Sequence, residues 1–105
     1  MYKLVFYVPI DYLETVKKAV FDSGAGRIGD YEHCCWQVRG SGQFRPMAGS
    51  KPFVGKVNEL EVVEEFRVEM VCEDALIRNA LQAMLSAHPY EEPAYDVWQL
   101  ADVKS

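Results

Sequence analysis

Glu65-Phe66-Arg67-Val68-Glu69-Met70-Val71-Cys72 alternates Phe66, Val68, Met70 and Cys72 with Glu65, Arg67, Glu69 and Val71. A period of two with one apolar side is the pattern of a strand buried on one face and mostly wet on the other. The residues that follow change period. Leu76, Ile77, Ala80, Leu81, Met84 and Leu85 share one stripe of a helix, while Arg78, Asn79 and Gln82 lie away from it. Glu73 or Asp74 is placed to cap the start of that helix. Pro89 forces the residue before it out of helical geometry, so the helix ends near His88. Residues 94–100, with Tyr95, Val97 and Trp98, read as a strand. The tail, residues 101–105, reads as frayed.

The same order is found upstream. Leu4, Phe6 and Val8 alternate with Lys3, Val5 and Tyr7, a strand with two largely apolar faces. Asp11 and Glu14 stand in capping-box spacing at the start of a helix over residues 12–23, which buries Leu13, Val16, Ala19 and Val20. Gly24 suits the left-handed turn that ends it. The glycines of residues 24–30 follow a helix and precede a strand, the reverse of the order a phosphate-binding loop needs, so they read as turns. Residues 31–39 read as a strand with Tyr31, His33, Cys35, Gln37 and Arg39 on one face. Gly40-Ser41-Gly42 then reads as a turn, Met47 to Lys56 as an irregular loop, and residues 57–63 as extended. A connection of that length in a compact domain points to a functional or partner-contacting loop.

Strand, helix, strand, strand, helix, strand is the order of two split βαβ halves. It predicts an α+β, ferredoxin-like sandwich with an antiparallel sheet and both helices on one face. With 105 residues the chain is read as one domain, residues 1–105. Half the residues are hydrophobic, and a chain of this size buries roughly 65% of its unfolded surface. Val5, Tyr7 and Val71 make the helix-free face more apolar than a solvent face should be, so other subunits are expected to cover it or the sheet edges.

The net charge of −5 argues against nucleic acid and against anionic membranes as partners. The N-terminal apolar run stops at Pro9, too short for a signal peptide or membrane span. Cys34, Cys35 and Cys72 are odd in number with two adjacent, which is no disulfide framework. They fit a reducing compartment, with cytoplasm as the expectation.

Four segments, in order and spacing, resemble the inserted domain of the Nif-three-like (NGG-interacting-factor, YqfO-type) proteins. They are the run from Gly24 to Tyr31, Gly40 to Pro46, Pro52-Phe53-Val54-Gly55, and Ala87-His88-Pro89-Tyr90-Glu91-Glu92-Pro93-Ala94-Tyr95-Asp96. The resemblance covers residues 4–100. It implies a fold shared with the PII signalling proteins and the CutA divalent-cation-tolerance proteins, both typically trimeric. CutA proteins also carry a His-Pro-Tyr-Glu segment after the second helix. In full-length members of the family a two-metal site is built from flanking regions, so the resemblance implies a module standing alone without that centre.

Three functional readings follow. The first is a non-enzymatic, regulatory, PII/CutA-like homo-oligomer, trimer or dimer, that senses a small ligand or ion or docks on a protein. His88, Tyr90, Glu91, Arg45, Phe53 and Tyr31 would form the cleft, and no cofactor is required. The second is a divalent-metal protein using His33, Cys35, His88 and Glu91, because imidazole, thiolate and carboxylate suit zinc, copper or iron. The bland alternative for the same residues is a proline-braced turn at His88 and small buried thiols at the cysteines. The third, a metal-dependent hydrolase, ranks last because two histidines are too few for two metals. Arg39, Arg45 and Lys51 are candidates for an anion cleft. The Glu59, Glu61, Glu64, Glu65 and Glu69 series reads as the wet side of extended segments.

Overall fold

The computed structural model describes residues 1–103. Four strands carry the fold: β1 (Tyr2–Pro9), β2 (Trp36–Phe44), β3 (Glu61–Cys72) and β4 (Tyr95–Gln99). Helix α1 (Leu13–Asp22) lies between β1 and β2, and α2 (Ile77–Ala87) between β3 and β4. A single turn of 3-10 helix leads into each. The sheet order is β2-β3-β1-β4, antiparallel throughout, which is the ferredoxin-like arrangement expected from the periodicity. Residues 101–103 have no regular structure; the remainder of the tail read as frayed lies outside the described residues.

The core forms where the two periods meet. Leu4, Phe6 and Val8 of β1 and Val68, Met70 and Cys72 of β3 point to one face of the sheet. Leu13, Val16 and Val20 of α1 and Ala80 and Met84 of α2 close over them. Each fully buried aliphatic or aromatic side chain contributes about 1.5–3 kcal/mol against exposure. Both helices therefore sit on one face, and the other carries no helix. Val5, on the helix-free face, is nonetheless fully buried within the single chain. That face is also less apolar than expected, because β3 lays Glu65, Arg67 and Glu69 along its middle. Trp36 and Trp98 remain 60% and 47% exposed at its edges.

Several local readings need correction. Neither Asp11 nor Glu73 or Asp74 makes a side-chain cap: both helices are entered through 3-10 turns whose caps show no side-chain hydrogen bond. Asp74 instead pairs with the N-terminal amine. Gly40-Ser41-Gly42 is not a turn. It lies inside β2, each residue paired with β3, because a completed backbone ladder outweighs the weak strand preference of glycine. β3 is a single strand from Glu61 to Cys72 rather than two extended segments, and Glu64, between the two, is held by Arg39 at 2.7 Å. The reversal between β2 and β3 falls to residues 45–60. The earlier strand start is also wrong: residues 31–35 precede β2, and His33 has a left-handed φ of 59°.

Candidate functional site

The helix-free face acquires a cleft because two connections fold over its β2–β3 end. Register places Gly42 beside Val63, Gly40 beside Glu65 and Val38 beside Arg67, with Tyr7 of β1 on the far side of Arg67. Residues 45–60 form one wall and residues 90–94 the other. The space between measures about 1120 Å³ and is lined by Phe44, Arg45, Phe53, Glu65, Arg67, Tyr90, Glu91 and Glu92 among others. Phe44 and Phe53 lie 6.1 and 6.3 Å from the Tyr90 ring, and Phe53 meets Tyr12 edge-on at 5.6 Å.

His88 positions the second wall from below. It is buried at the end of α2, where Pro89 turns the chain. Its Nε2 donates to the Tyr7 carbonyl at 2.6 Å, and its Nδ1 accepts the Tyr90 backbone N–H at 3.1 Å. Both ring nitrogens are thus committed to a neutral imidazole. Burial pushes its pKa below the ordinary value, against smaller opposing effects of the Tyr7 carbonyl and the Glu65 charge. The Tyr90 hydroxyl in turn donates to Glu65 Oε2 at 2.9 Å. Burial, then the bond to Glu65 and its charge, hold that hydroxyl protonated far above the usual phenol range. Glu65 is therefore not one of the solvated carboxylates of its series.

Gly42 is the residue that sequence reasoning missed. A β-carbon at this position would run into the Glu65 carboxylate, so the missing side chain is what lets Glu65 lie flat under Tyr90. A glycine in an alternating strand signals such a close approach, but the neighbouring Gly40 and Ser41 made the run look like a turn. The Gly42→Ala variant is expected to push the flexible carboxylate aside rather than distort the strand. Loss of the Tyr90–Glu65 bond should cost about 1–2 kcal/mol, with Tyr90 titrating lower by NMR. Gly40→Ala, where nothing lies within 4 Å of the added carbon, should leave the urea midpoint unchanged.

The other expected site residues divide between two places. Arg45, Phe53, Tyr90 and Glu91 line the cleft, with His88 beneath Tyr90. Arg45 also staples the loop base, its Nε donating to the Asn58 carbonyl at 3.1 Å, and Glu91 accepts the Lys51 N–H at 3.1 Å. Tyr31 is not part of the cleft; it is 75% exposed and pairs only with Ile28 in the segment after α1. His33 stacks on Phe21 at 4.9 Å and lies with Cys35 in a small depression against α1. Within one chain, then, His33 and Cys35 do not meet His88 and Glu91. Among the described residues no three His, Cys, Asp or Glu side chains converge as a metal site. The physical reasons are the left-handed turn at His33 and the two hydrogen bonds that occupy both nitrogens of His88.

The class that the structure defines is a ferredoxin-like α+β fold, which solved CutA proteins share. CutA1 from Pyrococcus horikoshii superposes with a TM-score of 0.71 over 99% of this chain and 87% of that protein, at 15% identity, which is a likeness of fold. Along its length the chain resembles one segment of the Nif-three-related proteins. A Bacillus cereus protein related to NIF3 matches it with a TM-score of 0.83 and 44% identity over 96% of this chain and 26% of that one. Proteins named GTP cyclohydrolase 1 type 2 homolog are 50% identical over 98 residues in Mycobacterium leprae and 47% over 96 residues in Bacillus subtilis. These matches cover 93% and 91% of this chain, which spans about a quarter of the length of those relatives (26% in each). No family model matches the chain. No helix among the described residues is long and apolar enough to cross a membrane.

Proposed function

We propose that the chain is a non-enzymatic regulatory module that takes a small ligand in the cleft between residues 45–60 and 90–94 and works as a homo-oligomer. The observation that carries this reading is the cleft itself. It is large enough to admit a small molecule, and it offers an aromatic wall with a few placed polar groups. Its ionisable groups support binding rather than turnover. Glu65 and Tyr90 are engaged with each other, and His88 is engaged on both nitrogens. In the cleft the Ser50 hydroxyl donates to the Met47 carbonyl at 2.6 Å rather than to a base, which covalent catalysis would need. The cyclohydrolase name of the relatives belongs to chains roughly four times longer, and its chemistry is not assigned to this segment. The three free cysteines suit a reducing compartment, so a cytoplasmic location is part of the proposal.

Assembly is supported by the exposed Trp36, Val38 and Trp98 on the helix-free face and by the unpaired outer edges of β2 and β4. Sedimentation of the full chain at micromolar concentration is expected to show a dimer or trimer. Phe53→Ala or Tyr90→Ala is expected to weaken that assembly or empty the cleft of ligand. A monomer at that concentration would rule out the oligomeric half of the proposal. A screen of small molecules that moves no NMR resonance of Phe44, Phe53 or Tyr90 would rule out the other half.

A further inference from the structure

The cleft is acidic once its charges are paired off. Arg67, on the floor, is answered by Glu69, whose Oε2 lies 3.4 Å from its Nε. Arg45 directs its Nε to a neutral acceptor, the Asn58 carbonyl at 3.1 Å. The carboxylates that line the same space meet no cation. Glu65 accepts the Tyr90 hydroxyl and Glu91 accepts the Lys51 backbone N–H, both uncharged donors. Glu92 is exposed and, among the described residues, forms no ion pair. Three carboxylates therefore share the cleft with one uncompensated guanidinium. Such a field draws a cation in and repels an anion.

The rings decide which kind of cation. Phe44, Phe53 and Tyr90 stand together on the wall, with Phe53 51% exposed and Tyr90 half-buried. The faces of such rings attract a cation within about 6 Å. The attraction favours an ion whose charge is diffuse and weakly hydrated, because less water must be stripped from it. Tyr90 has the most negative face of the three, since its hydroxyl donates to the Glu65 carboxylate at 2.9 Å and the ring gains electron density. A metal ion asks for several ligand oxygens around one point, and a primary ammonium for three acceptors. Among the described residues no three His, Cys, Asp or Glu side chains converge in that way. A quaternary ammonium has no N–H to satisfy and needs only ring faces in a negative field.

We propose that the cleft takes a small quaternary ammonium ion against the Phe53 and Tyr90 rings, with Glu65 and Glu92 supplying the opposite charge. The proposal rests on the cleft reading above and adds the chemistry of its occupant. The test uses the full chain and three probes: choline, its uncharged isostere with tert-butyl in place of trimethylammonium, and calcium chloride. Binding is followed through the Phe44, Phe53 and Tyr90 ring signals by NMR at low ionic strength, where screening is weakest.

Choline is expected to move the ring signals and to bind about tenfold more tightly than the isostere, the scale of a desolvated cation on an aromatic face. Phe53→Leu keeps apolar bulk but removes a ring, and Glu92→Gln removes a charge. Each should shrink the advantage of choline while the isostere binds as before. The comparison of choline with its isostere on the unaltered protein needs no variant to fold. Equal or tighter binding of the isostere, with the ring signals still moving, would overturn the cation class and leave the cleft. Tighter binding of calcium than of choline at the same signals would overturn the organic class. A preference for choline that survives both substitutions would overturn the placement against these residues. Silence of every cleft signal toward all three probes would overturn this proposal together with the reading it rests on.

Discussion

Phe6→Ala is expected to lower the unfolding free energy by about 3–5 kcal/mol, the range for emptying a buried aromatic site. Phe6 is fully buried, with Val68 on one side in the sheet and Tyr95 on the other, under the α1–α2 layer. A domain of ordinary stability holds about 5–15 kcal/mol in all, so this one truncation removes a large fraction. The loss reaches the cleft through the backbone. β1 supplies Phe6 to the core and Tyr7 to the cleft, and β3 supplies Val68 to the core and Arg67 to the cleft. Urea unfolding followed by far-UV circular dichroism and by the Tyr90 ring signal should therefore shift together. A cost below about 1 kcal/mol would mean that the core is not centred on this strand pair.

His88→Ala is expected to cost about 3 kcal/mol, because it strands two groups at once at about 1–3 kcal/mol each. The Tyr7 carbonyl loses its donor and the Tyr90 N–H loses its acceptor. At about 4–8 °C per kcal/mol for a domain of this size, the melting temperature should fall by well over 10 °C. His33→Ala, at an exposed stacked ring, should stay within about 0.5 kcal/mol.

The same residue sets a pH dependence whose sign follows from the direction of its shift. The folded pKa lies below 6.5, so as pH drops through 6.5 toward the folded value the unfolded chain takes up the proton first. Stability contributed by neutral His88 is fully present above 6.5 and is lost progressively below it. Protonation also places a hydrogen on Nδ1 facing the Tyr90 N–H, which should loosen the wall of the cleft. Melting curves taken from neutral pH downward should show a fall that disappears in His88→Gln. An identical slope in that variant would assign the acid sensitivity elsewhere.

Much of the fold was legible because its elements are strongly periodic. The alternation through Phe66, Val68, Met70 and Cys72 and the helical stripe through Ile77, Ala80, Leu81 and Met84 each admit one structure. Pro89 marks the end of α2 on steric grounds alone. The errors fall where local preference and pairing disagree. Gly40-Ser41-Gly42 has the composition of a turn, yet its ladder to β3 and the Glu65 carboxylate over Gly42 make it a strand. His33 and Cys35 have the spacing of a shared strand face, but the chain is not yet a strand there and turns left-handed at His33.

The candidate site was legible in part, for a related reason. Tyr90, Phe53, Arg45 and Glu91 drew attention as unusual residues in loops, where function concentrates. Arg67 looked like one more charge on a wet strand face. Glu65 beside it is claimed by Tyr90 from across the cleft, and a contact between residues 25 apart has no signature in local spacing.

By itself the sequence determined the helix-free sheet face at the centre of this molecule, because hydrophobic period dictates which side chains a strand or helix must bury. Only the tertiary structure decided what that face presents. Register sets Gly40 beside Glu65, whose carboxylate reaches over Gly42, and sets Arg67 between Val38 and Tyr7, and the end of α2 sets His88 under Tyr90. Those juxtapositions come from pairing between distant segments, which burial patterns constrain only to a face and not to a neighbour.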